Sequence, residues 1–138
     1  MSGDKILLVR RANPPMQGEW SLPGGLVETG ETTQEAVVRE VLEETGLQVE
    51  PAKLAEVFER ILRDPQGRVE YHFVLLDYLC RVTSGDAHAA SDVTDVRWAK
   101  LDELATLAVA PATCEVIRKA FLWSEETTAT SPDDPITR

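Results

Sequence analysis

Six glutamates lie between Glu28 and Glu44, in the run GGLVETGETTQEAVVREVLEETGL, around a single arginine, Arg39. On an α-helix, at about 100° per residue, Glu43 falls about 60° to one side of Glu40 and Glu44 about 40° to the other. The three carboxylates therefore share one face. Two readings fit that arrangement. Glutamate is a strong helix former, and a face rich in it is commonly only solvated. Alternatively, clustered carboxylates are the oxygen donors that a hard divalent cation takes, with waters and substrate phosphates completing its shell. Like-charge repulsion is only about 0.2–0.5 kcal/mol per pair, so the helix tolerates either role.

The elements that must position these acids are legible on both sides. TTQE offers Thr32 as N-cap with Glu35 three residues on, a capping box, and Gly46 follows Thr45 as a left-handed stop. Val38, Val41, Leu42 and Thr45 form a separate packing stripe, which aims the acids away from the core. Before the helix, KILLVRR (Lys5 to Arg11) reads as a buried strand, followed by the loop ANPPMQGEWSLPGGLVETGE. Its prolines and glycines prevent regular structure, its length suits a functional loop, and Trp20 and Leu22 supply apolar anchors. After the helix, KLAEVFERIL and RVEYHFVLLDYLCRV read as two strands joined at RDPQGR. SGDAHAASD is a loop, VTDVRWAKL a short strand, LDELATL a short helix or turn, and PATCEVIRKAFLW a helix packed through Val116, Ile117, Ala120 and Phe121. Strands interleaved with two helices indicate a mixed α/β domain with helices on both sides of a sheet.

From Gly25 to Leu47 the chain reads G-x5-E-x7-R-E-V-L-E-E-T-G-L. This resembles the signature of the Nudix hydrolases, with Gly25, Glu31, Arg39, Glu40, Val41, Glu43, Glu44, Gly46 and Leu47 at its fixed positions. LLVRRANPPMQGEWSLPGG and DVRWAKLDEL are similar to the family's flanking segments, so the likeness runs from about Lys5 to Trp123. It implies a Nudix fold, α/β in class (α+β mixed), with a mixed β-sheet sandwiched between helices and a loop–helix–loop catalytic box. It also implies that Glu40 and Glu44 bind Mg2+ (or Mn2+), with Glu43 as a further ligand and Glu31 within reach from the preceding loop. Glu43, Glu44 and Arg39 would form the catalytic group, Arg39 pairing with the glutamates and orienting them, unless it is an ordinary surface ion pair. Gly25 and Gly46 would supply sharp backbone geometry, and Gly25 would let its loop turn carboxyls and carbonyls toward the metal.

The implied reaction is metal-assisted attack of water on a pyrophosphate bond in a nucleoside diphosphate linked to another group. In similar enzymes a carboxylate beyond the box can serve as general base. Asp86 and Asp92 are the candidates here, each equally at home as a turn residue, with His72 and His88 behind them. RRANPPMQGEWSLPGGLVETGE is most similar to the corresponding run of ADP-ribose pyrophosphatases, which split ADP-ribose into AMP and ribose 5-phosphate. Phe58, Tyr71 and Phe73 could then stack on adenine or simply pack the sheet. Arg10, Arg11, Arg60 and Arg63 could contact phosphates or line strand edges. Nucleoside triphosphates, including oxidised ones, are the second substrate class. A Nudix-like module that binds nucleotide metabolites without turnover is a third reading, and a ligand-free acidic interaction domain a fourth.

Composition narrows the rest. The chain has 138 residues, one domain's worth, expected over 1–123 with a patternless, disordered tail over 124–138. A formal net charge of −10 argues against nucleic acid or anionic membrane as partner, leaving a small nucleotide substrate. No segment reads as a signal peptide or membrane span. Cys80 and Cys114 lack metal or redox spacing and read as buried free thiols in a reducing, cytoplasmic setting. Family members usually carry another strand before the one matching KILLVRR, where only MSGD stands here. The N-terminal strand is thus expected to be short or missing, and family habit adds a homodimer.

Overall fold

The computed structural model describes residues 5–14, 16–126 and 136–137. In chain order the elements are β1 (Lys5–Arg11), β2 (Trp20–Ser21), α1 (Thr33–Thr45), β3 (Gln48–Arg63), β4 (Val69–Ser84), β5 (Val93–Lys100), a 3-10 turn (Leu101–Thr106), α2 (Pro111–Glu126) and β6 (Ile136–Thr137). Successive side chains of a strand point to opposite faces, so the unbroken apolar run of β1 needs cover on both sides. It has it. Ile6 and Leu8 pack with Val116, Ile117 and Ala120 of α2. Leu7 points the other way, into a cluster with Val37 and Val41 of α1. The two helices thus flank the strand, as the interleaved pattern predicts.

The strands form two sheets, ordered β2-β1-β5 and β3-β4-β6. Their ladders are antiparallel, and a parallel bridge joins Trp20 to Val109. The expected loop before α1 therefore contains β2, with Leu22 buried in the α2-side core and Trp20 packed against it.

The β3–β4 hairpin is longer than KLAEVFERIL and RVEYHFVLLDYLCRV suggest, because the ladder runs from its tip back to Gln48↔Ser84. Pro51 is accommodated at a register shift between Pro51 and Lys53, where a bulge removes the need for its missing N–H. At the tip, Asp64 Oδ1 accepts from the N–H groups of Gln66 and Arg68 and closes the turn. The register sets Arg60 opposite Phe73 and Leu62 opposite Tyr71, which places these side chains on one face.

Both ends of α1 match the capping pattern. Thr32 Oγ1 accepts from Glu35 N–H at 3.1 Å, Glu35 accepts from Thr32 N–H at 3.3 Å, and Gly46 adopts φ 76°. Its packing stripe differs from the expected one. Leu42 is 44% exposed whereas Glu44 is only 4% exposed, so the three acids do not all point away from the core. Segments distant in sequence cover the Glu44 side of the helix, as described below.

Helix α2 continues past Trp123 to Glu126, and Ile136–Thr137 pairs with Tyr78 and Leu79 of β4. The remainder of the expected tail, 127–135 and 138, lies outside the described residues, as do residues 1–4, on which the expectation of a short or missing first strand falls. Cys80 and Cys114 are both buried, and no disulfide joins them. Among the described residues no helix is long and apolar enough to cross a membrane.

Candidate active site

The acids converge on Arg39. Its Nε and Nη2 donate to the two oxygens of Glu31 at 2.6 and 2.9 Å, and its Nη1 donates to Glu40 at 2.7 Å and Glu43 at 3.2 Å. Nη2 also donates to the carbonyl oxygen of Leu26 at 2.9 Å. The guanidinium is thus the common partner of the acidic loop and the acidic helix face. The bonds to Glu31 and then Glu40 hold the Arg39 pKa well above the usual arginine range. In turn, the Arg39 bonds lower the Glu31 pKa, helped by Glu28 N–H.

Glu40 and Glu44 are perturbed in the opposite direction. Burial pushes the Glu40 carboxyl up despite Arg39, with Glu43 and Asp92 adding repulsion. Burial pushes Glu44 up to about 8, against a 2.9 Å hydrogen bond from Gly24 N–H; Asp92 and Glu40 raise it further and Arg11 lowers it. Titratable groups shifted by desolvation and like charge in one cleft mark candidate functional sites.

Two glycines explain how the chain packs so tightly here. A Cβ on Gly25 would stand 2.4–2.6 Å from the carboxyl atoms of Glu40, so only glycine leaves room for that side chain. At Gly46, a Cβ would stand 2.1 Å from His88 Cε1. The loop 85–92 lies across this helix end, with His88 N–H donating to Thr45 O at 2.9 Å and Ala90 N–H to Glu44 O at 3.0 Å. Ala12 N–H holds the Asp92 carbonyl oxygen at 2.9 Å. This loop and Gly24 are what bury Glu44.

The expected site residues thus separate. Gly25, Glu31, Arg39, Glu40, Glu43 and Glu44 come together, and the Asp92 carboxylate acts on Glu40 and Glu44. Asp86 instead lines a separate hollow of about 210 Å³ beside Trp98. His72 pairs with Glu59 on the exposed hairpin at 2.6 Å. Arg11, Arg60 and Tyr71 line a cavity of about 300 Å³ together with Phe73, Gly24 and Gly25. Arg10, set off from Arg11 by a register shift in the β1–β5 ladder, does not line the cavity and donates to Gly18 O at 3.2 Å. Arg63 donates to Gly67 O within the hairpin turn. Phe58 packs against the α2-side core.

Sequence reasoning missed Glu19, whose carboxylate takes both terminal nitrogens of Arg60 at 2.7 and 3.1 Å. No spacing signals a contact between residues so far apart in sequence. It also missed the Gly24 N–H bonded to Glu44, although the adjoining glycines could have suggested a close backbone approach.

The donor set of Glu31, Glu40, Glu43 and Glu44 is all carboxylate oxygen, and Gly25 leaves a cradle beside Glu40 that a Cβ would fill. Both features fit a hard divalent cation. The carboxylates are gathered on Arg39 and Gly24, and among the described residues no three acidic, histidine or cysteine side chains converge directly on one point.

The NUDIX domain family matches residues 1–120 of the chain. The chain belongs to the Nudix family. An ADP-ribose pyrophosphatase of Methanocaldococcus jannaschii is 41% identical over 105 residues, covering 76% of this chain and 60% of that protein. A putative 8-oxo-dGTP diphosphatase of Bacillus subtilis is 36% identical over 95 residues, covering 68% of this chain and 56% of that protein. The chain therefore spans less than two thirds of the length of either relative. The crystal structure of a MutT NUDIX hydrolase from Burkholderia pseudomallei matches with a TM-score of 0.74 at 30% identity, over 86% of this chain and 90% of that one. Helix α1 and its two flanking loops are the Nudix box of this fold.

Proposed function

We propose that the protein hydrolyses the pyrophosphate bond of a nucleoside diphosphate linked to another group, with ADP-ribose the first candidate. Water and ADP-ribose would give AMP and ribose 5-phosphate. One observation carries this reading. The Gly24–Gly25 backbone lines the cavity and also packs against Glu44 and Glu40, so cavity and acid cluster are continuous. The 41% identity to an ADP-ribose pyrophosphatase supports the choice of substrate.

Glu40, Glu43, Glu44 and Glu31 would hold magnesium or manganese. When bound, such an ion neutralises diphosphate oxygens and lowers the pKa of a coordinated water. The chain's own residues do the rest. Arg39 holds Glu31, Glu40 and Glu43 in a fixed arrangement through its fork of donors. Arg11 lines the cavity close enough to Glu44 to lower its pKa, which suits it to the diphosphate. Asp92 accepts the proton of the attacking water at a carboxylate oxygen, a role for which its position beside Glu40 and Glu44 favours it over Asp86.

Phosphate-product release should be measured over ADP-ribose, nucleoside triphosphates and dinucleoside polyphosphates, with magnesium and with chelator. Magnesium-dependent cleavage of ADP-ribose supports the reading, and failure to cleave any of them overturns it in favour of a binding module. Oxidised nucleotides form a second reading, favoured by the relative named as an 8-oxo-dGTP diphosphatase. A homodimer and a cytoplasmic setting belong to the same proposal, the latter resting on two buried cysteines that no disulfide joins.

A further inference from the structure

The cavity beside the acid cluster has chemically different ends. Toward Gly24 and Gly25 it meets the acidic cluster and Arg11. Its other wall is the face of the β3–β4 hairpin that carries Arg60, Tyr71 and Phe73. The two aromatic rings stack on each other, with centroids 5.7 Å apart and planes 7° off parallel. Beside them, Arg60 and Glu19 form a bidentate pair, each only 19% exposed at the side chain.

The pairing changes what Arg60 is good for. Glu19 offsets its charge, which makes it a poor partner for a diphosphate and a good one for a neutral polar group. A guanidinium has five N–H donors, and Glu19 takes one from each terminal nitrogen, so Arg60 keeps donors to spare. Arg60 lines the cavity and Glu19 holds it there. The remaining Arg60 donors, next to stacked aromatic faces, match the acceptor atoms on the edge, and the plane, of a nucleobase.

We propose that Arg60, neutralised and held in place by Glu19, is the specificity-determining element of the cavity, donating to the acceptor atoms on the edge of the substrate's base while Tyr71 and Phe73 take its plane. This orientation rests on the hydrolase reading above and adds to it which end of the substrate lies where. It takes Arg60 from the phosphates and gives it to the base.

The test uses Arg60→Gln and Glu19→Gln, with the double variant as a neutral amide pair of similar size should either single variant fail to fold. Steady-state kinetics are measured on ADP-ribose, on diphosphate sugars carrying guanine, hypoxanthine or uracil, and on 5-phosphoribosyl 1-diphosphate, which has no base. KM for the substrate with the preferred base should rise about 10- to 100-fold with kcat little changed. Preference among bases should flatten, and the base-free substrate should be unaffected. Equal losses on base-free and base-bearing substrates would reduce the pair to a strap holding the loop, and unchanged base preference would remove it from recognition; either overturns the proposal. Calorimetry of AMP and ribose 5-phosphate binding in chelator separates the two readings. AMP affinity that depends on Arg60 in a protein without turnover would sink the hydrolase reading and keep this one. AMP affinity indifferent to Arg60 sinks this one.

Discussion

Glu44 ties the stability of the fold to the charge its site needs. Burial holds its carboxyl pKa at about 8 in the folded chain, against 4.5 when unperturbed. Between those values the folded chain keeps a proton that the unfolded chain has released, so stability falls by about 1.4 kcal/mol per pH unit. The contribution is fully present below pH 4.5 and is lost as the pH rises through 8. At pH 7, roughly 2.5 units above the unfolded value, the loss is about 3 kcal/mol. Glu44→Gln removes the titration and retains an oxygen for Gly24 N–H. In chelator, urea unfolding between pH 4 and 9 should show the variant more stable at pH 7 by up to about 3 kcal/mol, with that part of the downward slope gone. Its turnover with magnesium should fall by more than the roughly 10- to 100-fold typical of losing an outer-shell partner. A variant less stable than its parent at pH 7 without metal, or parallel pH profiles, would refute the reasoning.

Gly25→Ala should leave stability within about 1 kcal/mol, because the flexible Glu40 side chain can swing clear, while displacing its carboxylate should lower activity about 100-fold. Gly46→Ala combines φ 76° with a clash against His88 and should lower stability by about 1–3 kcal/mol, read as a fall in Tm. Asp92→Asn should lower kcat at least about 100-fold, whereas Asp86→Asn should stay within about twofold. Equal effects of the two asparagines would remove Asp92 as the base.

What could be read in advance was local. The caps of α1 and the shared side of Glu40 and Glu43 follow from spacings within one helix, and the pairing of Arg39 with the acids is implied by the family resemblance of the motif. Glu44 escaped because its burial comes from Gly24 on one side and the loop through His88 and Ala90 on the other. The same limit applies to adjacent arginines. Arg10 and Arg11 straddle a register shift in the β1–β5 ladder, which strand periodicity does not foresee, so periodicity does not say which of them meets the cavity. Asp86 and Asp92 sit in one featureless loop, and only its docking across α1 separates them. The hairpin was underestimated at Pro51, where a register shift allows pairing to continue.

The long hairpin has a consequence for how such a protein could change its diet. The groups that would break the bond sit on α1 and its adjoining loops, while Arg60, Tyr71 and Phe73 stand on a separate ribbon whose opposite face is left to solvent at Val57, Ile61 and Val74. Exchanging that ribbon's tip for one from a relative would alter which molecules are cut and leave the cutting itself intact. Appetite and blade are carried by different pieces of the chain.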